Sequence, residues 1–339
     1  MFSWDTPRQQ PEYDIIQLIK LEPGEVMLLS VVIPCFNEEA VIDRFYEEIN
    51  RVLDTADFGY ELIFVNDGSS DRTLDKIKAL AGADSRVRFI SFSRNFGKEA
   101  GMLAGLKYAS GDAMLIMDAD LQHPPALIPQ LVKGYEEGYD QVIAKRNRKG
   151  DAVVRSVISA IYYQMMNRFV DIELTDGIGD FRLLSRKAAD ALLSLSEYNR
   201  FSKGLFAWIG FKELVIEYEN VLREEGSSKW SFSKLLNYGM DGIISFNNKP
   251  LRLSIYLGFL VTFGGLLYVL LTLINILMHG IDEPGYFTLI ASILLFGGIQ
   301  LIFMGIIGEY IGRIYYETKR RPHFIISEEN MTKKIKEVD

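Results

Sequence analysis

The sequence has almost no cysteine. Cys35 stands alone among 339 residues, which excludes an intramolecular disulfide and a thiolate zinc site. Histidine is nearly as scarce, and His123, His279 and His323 lie too far apart to suggest a metal-ligand spacing. Positive charge is in deficit, with 37 Lys and Arg against 45 Asp and Glu and a formal net charge of −8. A nucleic-acid binder gathers Lys and Arg on one surface, so nucleic acid is excluded as the partner class. The first 30 residues have no long apolar core and carry Asp5, Arg8, Glu12, Asp14, Lys20, Glu22 and Glu25, which argues against a secretory signal peptide. Charge of either sign is missing from two further stretches, 253–278 and 284–308.

Each uncharged stretch exceeds the roughly 20 residues that a helix needs to cross a bilayer core. Soluble core helices seldom run so long without a charge, so both are expected to span a membrane. Lys249 and Arg252 precede the first stretch, and Arg313, Lys319, Arg320 and Arg321 follow the second. The connection at 279–283 carries Asp282 and Glu283 but no Lys or Arg. The positive-inside rule then places the N-terminal region and the C-terminal tail in the cytoplasm. The expected protein is multi-pass in the cell membrane, with its head and both termini cytoplasmic.

The expected organisation is an extension of unknown role at 1–27, a head at 28–230, an amphipathic interface helix at 231–250, a two-helix membrane domain at 251–314 and a cytoplasmic tail at 315–339. Phe232, Leu235, Leu236, Met240, Ile243 and Ile244, interleaved with polar residues, mark the interface helix. In the head, short apolar runs at 28–33, 60–65, 87–92, 113–117 and 141–144 predict strands. Helical spacing at 41–53, 73–80, 98–108 and 127–135 separates them. Alternating strands and helices predict an α/β head with a largely parallel sheet covered on both faces. Ligands of such sheets sit beyond the carboxyl ends of the strands.

Two acidic turns fall there. Asn66-Asp67-Gly68-Ser69-Ser70-Asp71 follows the second strand, and Asp118-Ala119-Asp120-Leu121-Gln122-His123 follows the fourth. Each alone reads as an ordinary turn or helix cap. Together at one sheet edge they point to a hard divalent cation, Mg2+ or Mn2+, bridging carboxylates to substrate phosphates. Such a cation would neutralise charge on a diphosphate leaving group.

Five segments in order resemble the family-2 glycosyltransferases with a GT-A fold: Val31-Val32-Ile33-Pro34-Cys35-Phe36-Asn37-Glu38-Glu39, Val65-Asn66-Asp67-Gly68-Ser69, Ser93-Arg94-Asn95-Phe96-Gly97-Lys98-Glu99, Asp118-Ala119-Asp120-Leu121-Gln122 and Gly179-Asp180-Phe181-Arg182-Leu183. Within that family the chain is most similar to the polyprenyl-phosphate branch, the prophage-type bactoprenol glucosyltransferases and dolichyl-phosphate mannose synthases. The likeness runs from about residue 28 to 322. It implies a Rossmann-like GT-A head that transfers a sugar from a nucleotide donor to a polyprenyl phosphate, undecaprenyl phosphate in a bacterium. Glucose from UDP-glucose is the implied donor, with N-acetylglucosamine, mannose from GDP-mannose or an aminosugar as alternatives.

The resemblance also implies roles. Pro34, Phe36, Glu38 and Asp67 would form the base and ribose pocket, and Lys98 would contact the donor phosphates. Asp118 would serve both nucleotide and metal, with Asp120 and Gln122 as further ligands. Asp180 and Arg182 would be catalytic, Asp180 beside the anomeric carbon and Arg182 orienting it or holding the acceptor phosphate. Arg146, Ser228 and Lys229 would hold that phosphate, and Trp230 would pack near sugar or lipid. A monoalkyl phosphate is mostly a dianion at neutral pH, so Asp180 is expected to position and stabilise charge more than to take a proton. A single displacement would invert the anomeric centre. Gly308 and Gly312 have the spacing of a helix-association motif, which permits a homo-oligomer. Two spans are too few to flip the lipid product, so a separate flippase and a downstream glycosyltransferase are expected partners. The competing readings are a non-enzymatic nucleotide-binding membrane scaffold and a processive polysaccharide synthase. The latter usually carries a Gln-x-x-Arg-Trp motif where this chain has Ser227-Ser228-Lys229-Trp230.

Overall fold

The computed structural model describes residues 26–147, 177–219, 249–279 and 285–331. The strands are β1 Leu28–Cys35, β2 Gly59–Asn66, β3 Val87–Phe92, β4 Ala113–Ile116, β5 Gln141–Arg146, β6 Ile178–Ser185, β7 Glu213–Tyr218 and β8 Ile326–Glu329. The helices are α1 Ile42–Leu53, α2 Thr73–Ala83, α3 Lys98–Tyr108, α4 Ile128–Glu136, α5 Arg186–Ser194, α6 Ser202–Trp208, α7 Lys249–His279 and α8 Tyr286–Lys319. The first five strands and four helices are those that the apolar pattern predicts.

The described strands form one sheet in the order β7-β5-β6-β4-β1-β2-β3-β8. Strict alternation along β1, β2 and β4 feeds two cores. Leu29, Val31 and Ile33, Leu62 and Phe64, and Leu115 and Met117 join Ile42, Phe45, Ile49 and Leu53 of α1 and Ile128 and Leu131 of α4. Val32, Ile63, Val65, Met114 and Ile116 face the other way, onto Met102, Ala104 and Leu106 of α3 and Ala188, Leu192, Leu205 and Phe206 of α5 and α6. α1 forms because its apolar residues recur every three or four positions. Its four core side chains are fully or almost fully buried, each worth roughly 1.5–3 kcal/mol. Phe45→Ala is the single change that would most damage this layer, at about 3–5 kcal/mol.

The expectation of a largely parallel sheet is corrected at both flanks. β6 runs antiparallel between β4 and β5, and β8 pairs antiparallel with β3. β6 escapes a search for apolar runs because Gly179, Asp180 and Arg182 interrupt it, and β7 because Glu213 and Glu217 do. The stretch expected as a tail, 315–339, contains regular structure among its described residues. α8 continues to Lys319, and Ile326–Glu329 returns to the head as its edge strand.

α7 and α8 are 31 and 34 residues long and contain the uncharged stretches. At 1.5 Å per residue, either length surpasses the roughly 30 Å of a bilayer core. Among the described residues alone, no helix offers a segment long and apolar enough to cross a membrane; several side chains within both helices lie outside that description. The expected interface helix at 231–250 falls outside the described residues except for Lys249 and Pro250, which open α7. The extension at 1–27 does so except for Val26 and Met27.

Candidate active site

The parallel strands deliver their carboxyl ends to one edge. Cys35 and Asn66 are paired in register there, and the Asp67 N–H donates to the Cys35 carbonyl at 2.9 Å. Asp67 is 3% exposed. Its carboxylate accepts the Phe96 N–H at 2.6 Å and the Gly97 N–H at 2.9 Å. Burial pushes its pKa up, and the two amide donors pull against that. Gly68 beside it has φ +64°, and a Cβ there would overlap the Arg94 and Asn95 backbone. The 66–71 turn and the 93–97 loop therefore touch at backbone distance, which only glycine permits.

β6 brings Asp180 to the same edge because it runs backwards. Its register pairs Ile116 with Arg182, so continuing the ladder sets Asp118 opposite Asp180. Like charges placed so would repel. The Lys98 ammonium, from the first turn of α3, donates to Asp118 at 2.8 Å and to Asp180 at 2.6 Å. Burial raises the Asp180 carboxyl, but the Lys98 charge and hydrogen bond outweigh it and hold the group well below the usual carboxylate range. Burial lowers Lys98, and the two carboxylates more than reverse that. Asp180 and Lys98 thus hold each other ionised across the neutral range.

Asp118 and Asp120 are the donors available to a hard cation. The Gln122 N–H donates to Asp120 Oδ1 at 3.1 Å, which fixes the turn. Among the described residues no group of three or more His, Cys, Asp or Glu side chains could hold a metal. Two carboxylates at an open edge suit a cation that completes its shell with substrate phosphates and water, as Mg2+ commonly does.

Other predicted residues fall into place unevenly. Pro34, the penultimate residue of β1, lies within packing distance of Gly101 on α3, Phe36 is exposed, and the Glu38 N–H donates to Thr73 Oγ1 at 2.8 Å. Arg146 ends β5, its N–H donating to the Gly177 carbonyl at 3.1 Å. Arg182 does not reach the open edge. It is 2% exposed, lies 3.8 Å from the Phe206 ring centroid and donates to the Gly179 carbonyl at 2.9 Å. Burial lowers its pKa to about 10. That geometry sets Arg182 back from the open edge and ties it to the start of β6, the segment that carries Asp180. Ser228, Lys229 and Trp230 lie outside the described residues.

Glycosyl transferase family 2 matches residues 30–193, and the GtrB C-terminal hairpin matches residues 249–314. CsbB of Bacillus subtilis is 56% identical over 307 residues, covering 91% of this chain and 93% of that one. The chain belongs to glycosyl transferase family 2. The bactoprenol glucosyl transferase of Shigella phage SfV is 41% identical, across 89% of this chain and 99% of its own. The SfII prophage-derived bactoprenol glucosyl transferase of Shigella flexneri is 42% identical, across 88% and 97%. Among solved structures, glucosyl-3-phosphoglycerate synthase of Mycobacterium tuberculosis covers 64% of this chain and 78% of its own at 22% identity and a TM-score of 0.41, too distant to inform the site. The head is the GT-A, Rossmann-like fold of the family.

Three residues of this glycosyltransferase's edge escaped sequence reasoning. His123 accepts the Asp118 N–H on Nδ1 at 3.3 Å and stacks on Phe181 at 4.7 Å. Burial depresses its pKa, consistent with a neutral acceptor. Tyr218 on β7 meets Phe181 edge-on, and the charges of Arg146, Asp120 and Asp118 act on its hydroxyl. Lys203 adds positive charge near Asp180. The spacing of His123 from Asp120 was a usable signal; Tyr218 and Lys203 left none, because only the sheet order brings β7 and α6 here.

Proposed function

We propose that this glycosyltransferase moves glucose from UDP-glucose to a polyprenyl phosphate, undecaprenyl phosphate in a bacterium, at the cytoplasmic face of the cell membrane. The observation that carries the reading is the Asp118–Lys98–Asp180 cluster at the sheet edge beside Asp67, in a chain whose relatives are named for bactoprenol glucosylation. Asp67 holds the base or ribose, flanked by Pro34, Phe36 and Glu38. Lys98 and Asp118 face the diphosphate. Asp118 and Asp120, with Gln122, would hold Mg2+ or Mn2+. When bound, that cation supplies charge neutralisation for the departing nucleotide.

Asp180 then acts as a fixed anion. Lys98 keeps it ionised, which makes it a weak base. The acceptor needs no strong base, being mostly a dianion at neutral pH. Asp180 instead orients the attacking oxygen and offsets the positive charge that develops on the sugar. Arg182 holds the Gly179–Asp180 start of β6 in place. One in-line displacement inverts the anomeric centre. Arg146, Ser228 and Lys229 would receive the acceptor phosphate.

α7 and α8 are read as the two membrane spans. Phe259, Leu277 and Leu301 are 72%, 79% and 70% exposed on them, a surface that suits lipid better than water. The return of β8 to the head supports an even number of crossings, with head and tail on one side. Moving the product across the bilayer is left to a separate flippase, ahead of a downstream glycosyltransferase.

The test is purified protein with undecaprenyl phosphate, Mg2+ or Mn2+ and a panel of labelled nucleotide sugars. Label appearing in lipid from UDP-glucose alone, and lost with chelator and in Asp120→Ala, is the expected result. Transfer from another donor would correct the sugar, and no transfer from any donor would sink the enzymatic reading.

A further inference from the structure

β8 does more than end the chain. It pairs with β3 through Ile90 with Glu329, Ser91 with Glu328 and Phe92 with Ile326, and the Ser93 N–H donates to the Ile325 carbonyl at 2.9 Å. Asn330 closes the far end. Its side-chain oxygen accepts the Phe89 N–H at 2.7 Å, and its amide donates to the Val87 carbonyl at 3.1 Å. Lys78 and Glu328 add an ion pair. A free edge strand would otherwise be exposed here.

The consequence for the site runs through three aromatic rings. Phe324, just before β8, stacks on Phe92 with centroids 4.9 Å apart and planes at 14°. Phe92 meets Phe96 edge-on at 5.8 Å and 88°. The Phe96 and Gly97 amides are the two that donate to Asp67. The 93–97 loop therefore lies between two supports, the 66–71 turn on one side and the C-terminal segment on the other. With no ladder of its own beyond Ser93, it takes its position from them.

We propose that the C-terminal segment is a positioning element for the donor half of the site. Phe324 sets the Phe96–Gly97 amides, and through them Asp67, for the nucleoside diphosphate. The inference rests on the reading of Asp67 as a base or ribose ligand. The acceptor half, around Asp180 and Arg146, lies outside this aromatic chain, so the effect is confined to donor binding. A segment that merely covered an edge strand would lower stability without separating donor from acceptor.

The full-length protein in detergent serves for the test, with UDP binding measured by calorimetry in Mn2+ alongside melting temperature and steady-state kinetics. Phe324→Ala is expected to raise the Kd for UDP and the KM for donor about tenfold, the scale of one lost aromatic pair. Its kcat and acceptor KM should stay within about twofold of wild type. Phe324→Tyr should restore binding, and Ser327→Ala, which loses a hydrogen bond to the Ser91 carbonyl, should bind as wild type. If Phe324→Ala does not fold, Phe324→Leu carries the same expectation. Unchanged UDP binding in a folded Phe324 variant, or equal losses in Ser327→Ala, would overturn the inference while leaving the role of Asp67 intact. Failure of wild type to bind any of a panel of nucleoside diphosphates would instead sink the reading of Asp67 and this inference with it.

Discussion

Asp118, two residues past the end of β4, and Asp180 on β6 are joined by the Lys98 ammonium, 2.8 Å from one and 2.6 Å from the other. Neither carboxylate belongs to a sequence neighbour of the other, and the antiparallel turn-back of β6 is what makes them partners. Two buried-edge anions without a cation would lose solvation and gain repulsion. With Lys98 between them the edge is stable yet open, and the Lys98 side chain as a whole is 42% exposed.

Replacing that ammonium tests the arrangement. Lys98→Met keeps the stem and removes the charge, leaving two carboxylates opposed. A charge-assisted hydrogen bond is worth about 1.5–3 kcal/mol, and exposure of Lys98 favours the lower part of that range. The expected outcome is a fall in kcat/KM of about 10- to 100-fold. Kinetics within twofold of wild type would show that Lys98 is only a surface counter-ion.

Arg182→Met should separate positioning from binding. The variant loses the bonds to the Gly179 carbonyl and to Gln141 Oε1 and the contact with Phe206, but nothing that faces the nucleotide. The expected result is a kcat lowered about tenfold or more with the donor KM unchanged, since the loosened segment is the start of β6 around Asp180. A raised donor KM with normal kcat would contradict the placement.

Glu99 sets a pH dependence of stability. Burial first, then the Asp180 charge, push its pKa up to about 7, against the bonds from Ser202 and the Lys98 charge. The unfolded side chain titrates near about 4.3. The raised folded pKa means that this contribution is full below about 4.3 and is lost as pH rises through about 7, by an order of 1–3 kcal/mol. Melting curves of Glu99→Gln should vary less than wild type between those pH values. Parallel curves would refute the assignment.

Gly68→Ala probes the contact between the two donor-side loops. The positive φ costs about 1–2 kcal/mol for a side chain, and the Cβ would overlap the Arg94–Asn95 backbone. A lowered melting temperature together with weaker UDP binding is expected. Loss of stability alone would mean that the loops move apart without disturbing Asp67.

The central strands, their helices and both acidic turns were legible in the sequence because their signals are local. Leu29, Val31 and Ile33 alternate within one strand, Ile42, Phe45 and Ile49 recur within one helix, and Asp67 and Asp118 sit directly behind apolar runs. The uncharged stretches that became α7 and α8 needed only their length. Four features came from tertiary structure alone: the reversal of β6 between β4 and β5, the bridge from Lys98 to Asp118 and Asp180, the burial of Arg182 against Phe206, and the return of β8 to β3. Each joins residues far apart in the chain, and the free energy that selects such pairings lies in the register of a completed sheet and the packing on its two faces. Asp180 and Arg182 show the division most sharply. Two residues apart on β6, they share a face by strand alternation, and it is depth along the strand that separates them, the carboxylate meeting Lys98 at the open edge and the guanidinium lying against Phe206 in the core.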